Sequence, residues 1–152
     1  WGAEKLVTEL FGEIVEPPLV TPPCVSDYPP SAQPLARPHR SGEPLIEAWD
    51  LIIGGMERGT AFSELIDPVI QRERLTAQSL LAAAGDDEVM ELDEDFLRAL
   101  EQGAPPMGGL GLGIDRLIML LAGDQDPERP GTVVRQPGIR ETILFPLMKP
   151  EA

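Results

Sequence analysis

Gly108-Gly109-Leu110-Gly111-Leu112-Gly113-Ile114-Asp115-Arg116-Leu117-Ile118-Met119-Leu120-Leu121 sets a glycine-rich strand directly before an apolar run long enough for a buried helix. Alternating glycines leave one strand face bare, so a flat ligand can come close to the backbone. Arg116 then falls in the first turn of the helix, where the backbone already carries positive potential. An arginine and free N–H groups beside a bare strand make a cradle for a nucleotide. The same run also reads as a strand packed on its own helix, with Arg116 in a structural ion pair. Gly109-x-Gly111 lacks the third glycine of a dinucleotide fingerprint, because Ile114 stands there, and no Gly-Lys-Ser/Thr closes the run.

Working backward, residues 46–54 and 56–65 are apolar-rich runs separated by Gly54-Gly55, which predicts a hairpin with a two-residue turn. Asp67-Pro68 predicts a helix start, with Asp as cap and Pro at the first position, running to Ala84 and stopping at Gly85. Asp93, with Glu94 and Asp95 in an acidic first turn, predicts another, ended by Gly103-Ala104-Pro105-Pro106. Val7, Leu10, Phe11 and Ile14 at helical spacing predict an amphipathic helix over 2–15, stopped by Pro17-Pro18. The proline-rich stretch to Arg40 leaves room only for short strands, Leu19–Thr21 and Cys24–Asp27. Residues 124–137 read as an exposed loop, and Thr142-Ile143-Leu144-Phe145-Pro146 as a closing strand. The resulting class is α+β, centred on an antiparallel hairpin.

The 152 residues carry 12 basic and 26 acidic side chains, a net charge of −14, with Lys5 and Lys149 the only lysines. Such a chain repels phosphate backbones, which argues against nucleic-acid contact through this segment alone. Cys24 is the sole cysteine and has no internal partner, so a reducing, cytoplasmic setting is the expectation. No apolar run reaches membrane-spanning length, so no membrane contact by this segment is expected. The chain opens at Trp1 inside a helical pattern, without an initiator methionine, and is read as a piece of a larger protein. His39 lacks a second ligand nearby, and Cys24 lacks a His or Asn partner. Trp49 is expected in the core of the sheet, and Arg72 and Arg74 on a solvated helix face.

Asp50, Glu57 and Glu64 punctuate the hairpin. A two-residue turn puts Ile52 opposite Glu57 and Asp50 on the same face. Glu64 and Phe62 have the opposite parity along a regular strand; a bulge is predicted at Arg58-Gly59, which returns them to the same face. At about 6 Å and an effective dielectric near 20, each like-charge pair costs roughly 3 kcal/mol. A cation must offset this. Asp50 and Glu57 suit Mg²⁺ with substrate phosphates. Glu64 beside an aromatic ring suits an alkylammonium. All three also read as surface charges on a solvated face.

Ile53-Gly54-Gly55-Met56-Glu57-Arg58-Gly59-Thr60-Ala61-Phe62-Ser63-Glu64-Leu65-Ile66-Asp67-Pro68 resembles the substrate-binding segment of bacterial, actinobacterial-type lysyl-tRNA synthetases. Residues 85–96 resemble that family's next block, 109–121 its class II motif 3, and 139–146 its ending. The resemblance implies a partial class II catalytic fold, an antiparallel sheet flanked by helices, in a dimeric parent. It implies a lysine–tRNA ligase: lysine and ATP give lysyl-adenylate, and the lysyl group passes to tRNA. By that likeness Asp50 and Glu57 serve ATP and its Mg²⁺, and Gly111, Gly113 and Arg116 bind ATP. Arg116 is the catalytic arginine, and Thr60, Phe62 and Glu64 form the lysine pocket.

Motif 1, motif 2 and the anticodon-binding domain of that family have no counterpart within residues 1–152, so tRNA contact would fall to other parts of a parent and the isolated segment is expected to be inactive. Ser31 and Gln33 stand where the family has Glu and Ser, Pro23-Cys24 replaces Thr-Phe, and 124–137 enlarge a short junction as an atypical insertion. Alternatives are the synthetase-like half of actinobacterial lysylphosphatidylglycerol biosynthesis proteins, the lysyltransferase acting on elongation factor P, and a non-catalytic remnant or interaction module.

Overall fold

The computed structural model describes residues 2–83, 92–129 and 132–145. They belong to two compact units, one of Trp1–Thr8, Ser26–Trp49 and Ala61–Leu110, the other of Glu9–Val25, Asp50–Thr60 and Gly111–Ala152. Strands β1 (Cys24–Ser26), β2 (Ala48–Ile52), β3 (Glu57–Ser63) and β4 (Gly108–Leu112) follow the spatial order β1-β2-β3-β4. The architecture is α+β, an antiparallel sheet with helices.

Gly54 and Gly55 both take left-handed backbone angles, φ +63° and +66°. Ile53 N–H donates to Met56 O at 3.0 Å across them, so the hairpin closes through a primed turn that glycine alone enters freely. At the other end Ser63 N–H donates to Glu47 O at 2.9 Å. From Met56 to Ser63 the chain takes one step more than from Ile53 back to Glu47. β3 therefore holds one extra residue, and its alternation breaks at Arg58 and Gly59, which are both buried.

In the first unit Ala36, Ile46 and Ala48 form a core against which Tyr28 and Phe62 pack. Helix α2 (Pro68–Ala83) starts where Asp67 Oδ1 accepts the N–H groups of Val69 at 2.9 Å and Ile70 at 3.3 Å. Helix α3 (Glu94–Glu101) starts the same way, Asp93 Oδ1 accepting from Asp95 and Phe96. These two caps satisfy amide groups that the first helical turn leaves orphaned. Leu75, Leu97 and Leu100 are buried. Arg72 lies at the surface paired with Glu94, as expected. Arg74 does not, because its guanidinium donates to Ala36 O at 2.6 Å in a part-buried position.

Several expectations need correction. The first helix is α-helical only over Ala3–Leu10 (α1); Phe11–Val15 widens to a π-turn closed by Glu16 N–H on Phe11 O at 2.9 Å. No strand forms at Leu19–Thr21. Trp49 is 38 % exposed rather than buried. In the second unit α4 (Ile114–Leu121) is followed by an antiparallel ribbon, β5 (Asp124–Gln125) and β6 (Val133–Arg135), where a loop was expected. Thr132 and Val133 are buried there, which gives the segment an anchor. No strand forms over 142–145, the described part of the expected closing strand: Thr142 ends a helical turn, α5 (Ile139–Thr142), whose Glu141 carboxylate accepts Gly138 N–H at 2.5 Å. Leu144 and Phe145 are each 92 % exposed, so apolar character alone did not make them a strand. The expected end of α2 at Ala84-Gly85, most of the 85–96 block and Pro146 lie outside the described residues.

Candidate functional site

In the second unit Gly111 and Leu112, the end of β4, lead through Gly113 into α4, so Arg116 falls in the helix's first turn. Its Nη1 donates to Glu57 O at 3.0 Å and lies 3.5 Å from Glu57 Oε1. Burial and the Asp50 charge hold the Glu57 carboxyl above its usual range; Arg116 pulls the other way and Glu16 adds to the rise. Asp50, Glu57 and Arg116 thus form one electrostatic group. Glu16 was not foreseen: its carboxylate accepts Glu57 N–H at 2.9 Å, bringing a third acid to the group.

Thr60 lies beside Gly111, whose missing side chain leaves Thr60 Cγ2 3.7 Å from where a Cβ would stand. Thr60 Oγ1 is buried without a hydrogen-bond partner among the described residues. A buried hydroxyl left unpaired is costly unless something else completes it. Gly59 and Gly111 meet closely, since a Cβ on Gly59 would sit 2.9 Å from Gly111 O. Gly113 N–H donates to Arg58 O at 2.9 Å, which fixes the helix start against β3.

Arg58 was expected only as a bulge position. It is instead the largest fully buried side chain, 1 % exposed. Its guanidinium donates to Ile53 O at 3.1 Å, to Arg116 O at 2.6 Å and to Gln136 Oε1. Burial, with Arg116 nearby, lowers its hold on its proton.

The first unit carries the other group. Glu64, just past β3, is fixed by its N–H on Met107 O at 3.0 Å. Its carboxylate lies over Gly109, Oε1 falling 2.0 Å from where a Cβ of that residue would be. Only a glycine leaves that space. Burial raises the Glu64 carboxyl above its usual range, and no ion pair reaches it among the described residues. Phe62 packs on the Ala36–Ile46–Ala48 core and also lines a cleft of about 450 Å³ with Trp49, Gly108 and Gly109. Glu47 borders the same cleft, held far below its usual range by hydrogen bonds from Arg40 and Arg37 at 2.6 and 2.5 Å.

Among the described residues no three side chains of metal-binding type converge. Asp50 and Glu57 are two neighbouring carboxylates only partly offset by Arg116, a donor set that fits Mg²⁺ arriving with phosphates rather than a resident metal. No helix among the described residues is long and apolar enough to cross a membrane.

Residues 14–149 match the family described as tRNA synthetases class II (D, K and N), and the chain belongs to that family. Its similar relatives narrow the context. It is 51 % identical over 150 residues to the lysylphosphatidylglycerol biosynthesis bifunctional protein LysX of Mycolicibacterium gilvum. Identity is 52 % to the protein of that name in Mycobacterium tuberculosis and 49 % to that in Gordonia bronchialis. Each comparison covers 99 % of this chain and 12 % of the relative, so the chain spans about an eighth of their length.

Proposed function

We propose that the chain forms part of the lysine-activating site of a class II lysyl-tRNA synthetase-like enzyme, in a protein that supplies lysyl groups for lipid modification. The observation that carries the lysine assignment is the Glu64 carboxylate, part-buried, without a cation and placed over Gly109. A family that handles aspartate, lysine or asparagine needs a device to choose among them. An unpaired anion attracts the substrate with an extra ammonium and repels the one with an extra carboxylate. The names of the relatives favour lipid lysylation over protein synthesis as the setting.

The reaction follows from these roles. A carboxylate oxygen of lysine attacks the α-phosphorus of ATP; pyrophosphate leaves and lysyl-adenylate forms. A hydroxyl of the tRNA end then attacks the lysyl carbonyl, and AMP leaves. Little proton chemistry is required, so orientation and charge stabilisation supply most of the rate. Arg116, at a helix start, would stabilise negative charge developing on the phosphates. Asp50 and Glu57 would hold the Mg²⁺ that accompanies them, and that ion would neutralise phosphate charge. Thr60 Oγ1 would gain its missing partner from bound substrate. Amino-acid-dependent ATP–pyrophosphate exchange by the full-length protein tests this. Exchange with lysine and not with aspartate or asparagine is expected; exchange with none of them would leave a non-catalytic module.

A further inference from the structure

We infer that Arg58 and Gln136 form a clamp that positions Arg116 and Glu57 for a nucleoside triphosphate, a role that rests on the reading of that group as the nucleotide site. Arg58 reaches the start of α4 at two points. Its backbone oxygen accepts Gly113 N–H, and its guanidinium donates to Arg116 O at 2.6 Å. It also donates to Ile53 O at the mouth of the hairpin turn and touches Met56 Sδ at 3.4 Å. Every one of these acceptors is uncharged. A buried guanidinium held by neutral acceptors alone depends on each of them, because losing one leaves a desolvated donor unpaired.

Gln136 supplies the last acceptor and closes the loop. Its Oε1 takes Arg58, and its Nε2 donates to Gly54 O at 3.1 Å. One amide therefore ties the cation to the turn that β3 leaves. Gln136 directly follows β6, so the β5–β6 pairing holds the segment that delivers it. The ribbon is held in turn: Asp126 N–H donates to Thr132 O at 2.8 Å, and Val133 is buried. The adjoining Glu57 shares the arrangement through Arg116, whose guanidinium donates to Glu57 O. Slackening at Gln136 frees Arg58, and with it the first turn of α4 from which Arg116 extends. Gln136 touches no reacting atom in this scheme; it acts through Arg58.

Gln136→Leu and Gln136→Glu in the full-length protein separate positioning from bulk stability. In ATP–pyrophosphate exchange, Gln136→Leu is expected to raise the KM for ATP about tenfold and leave the KM for lysine within twofold. Gln136→Glu gives up the contact with Gly54 O but offers Arg58 a charged acceptor, stronger than the amide, and is expected to stay within threefold of the wild type in both. Parallel rises in both KM values, or no change in either, would overturn the clamp. If the wild type shows no lysine-dependent exchange, the functional reading fails, and calorimetric titration with Mg·ATP judges the clamp by itself. A tenfold weaker affinity for Gln136→Leu with rescue by Gln136→Glu supports it. Equal affinities, or no Mg·ATP binding by the wild type, overturn it.

Discussion

Replacing Gly109 by alanine should weaken lysine binding while leaving the fold almost untouched. A Cβ there would stand 2.0 Å from Glu64 Oε1 and 3.2 Å from its carboxyl carbon. An ordinary contact needs about 3.4 Å or more, so the carboxylate must swing away by over ~1 Å. The clash is with the far end of a flexible side chain, and that end has no partner among the described residues to lose. The displacement should cost about 0.5–1.5 kcal/mol in rotamer strain. Removing a strand glycine returns roughly 0.5–1 kcal/mol, so the melting temperature should move by only a few degrees. A hydrogen bond from an ammonium to a carboxylate is worth about 1.5–3 kcal/mol. At ~1.4 kcal/mol per decade, its loss raises the KM for lysine roughly 10- to 100-fold. Steady-state exchange with lysine and ATP varied separately, together with a thermal melt, reads both quantities. A KM for lysine within twofold of wild type in a folded Gly109→Ala protein would refute the placement of Glu64 in the pocket.

Three further perturbations probe the rest. Glu57→Gln should raise the melting temperature at pH 7, because the folded state holds that carboxyl above its usual range and its ionised form is unfavourable there; the gain should vanish as pH falls below the ordinary carboxylate range. The same variant should lose Mg·ATP affinity, and melts at several pH values with calorimetry check both halves. Glu47→Gln should cost about 1–3 kcal/mol at neutral pH by removing an acceptor shared by Arg37 and Arg40. Since Glu47 is held far below its usual range, the wild type should keep that advantage until strongly acid conditions, and a pH series of denaturant melts would show it. Gly55→Ala should destabilise by about 2–3 kcal/mol, because φ is +66° and a Cβ would meet Pro17 O at 2.5 Å; an unchanged denaturation midpoint would contradict this turn.

What was legible in the sequence is what local chemistry decides. Gly54-Gly55 prefigures the turn because only glycine enters that backbone region freely. Asp67 and Asp93 prefigure helix starts because a carboxylate caps the amides that follow it. The glycine ladder before Arg116 likewise announces a strand running into a helix. What stayed hidden depends on partners far along the chain. Arg58 reads only as a bulge position, because the acceptors that let it be buried, Ile53, Arg116 and Gln136, lie elsewhere along the chain. Glu16 looks like the last residue before a proline stop, yet it holds Glu57 N–H. The ribbon escaped notice because Val133 finds burial only when Asp124 and Gln125 pair across from it. The family likeness places Phe62 at the substrate, and the core it also packs on comes from Ala36 and Ile46, which that motif does not contain.

Calorimetric titration of lysine into the full-length protein, wild type against Glu64→Gln, tests most directly whether this part-buried acid selects the substrate. The account predicts lysine affinity at least tenfold weaker in the variant, with Mg·ATP affinity unchanged. Equal lysine affinity in the two proteins would contradict it.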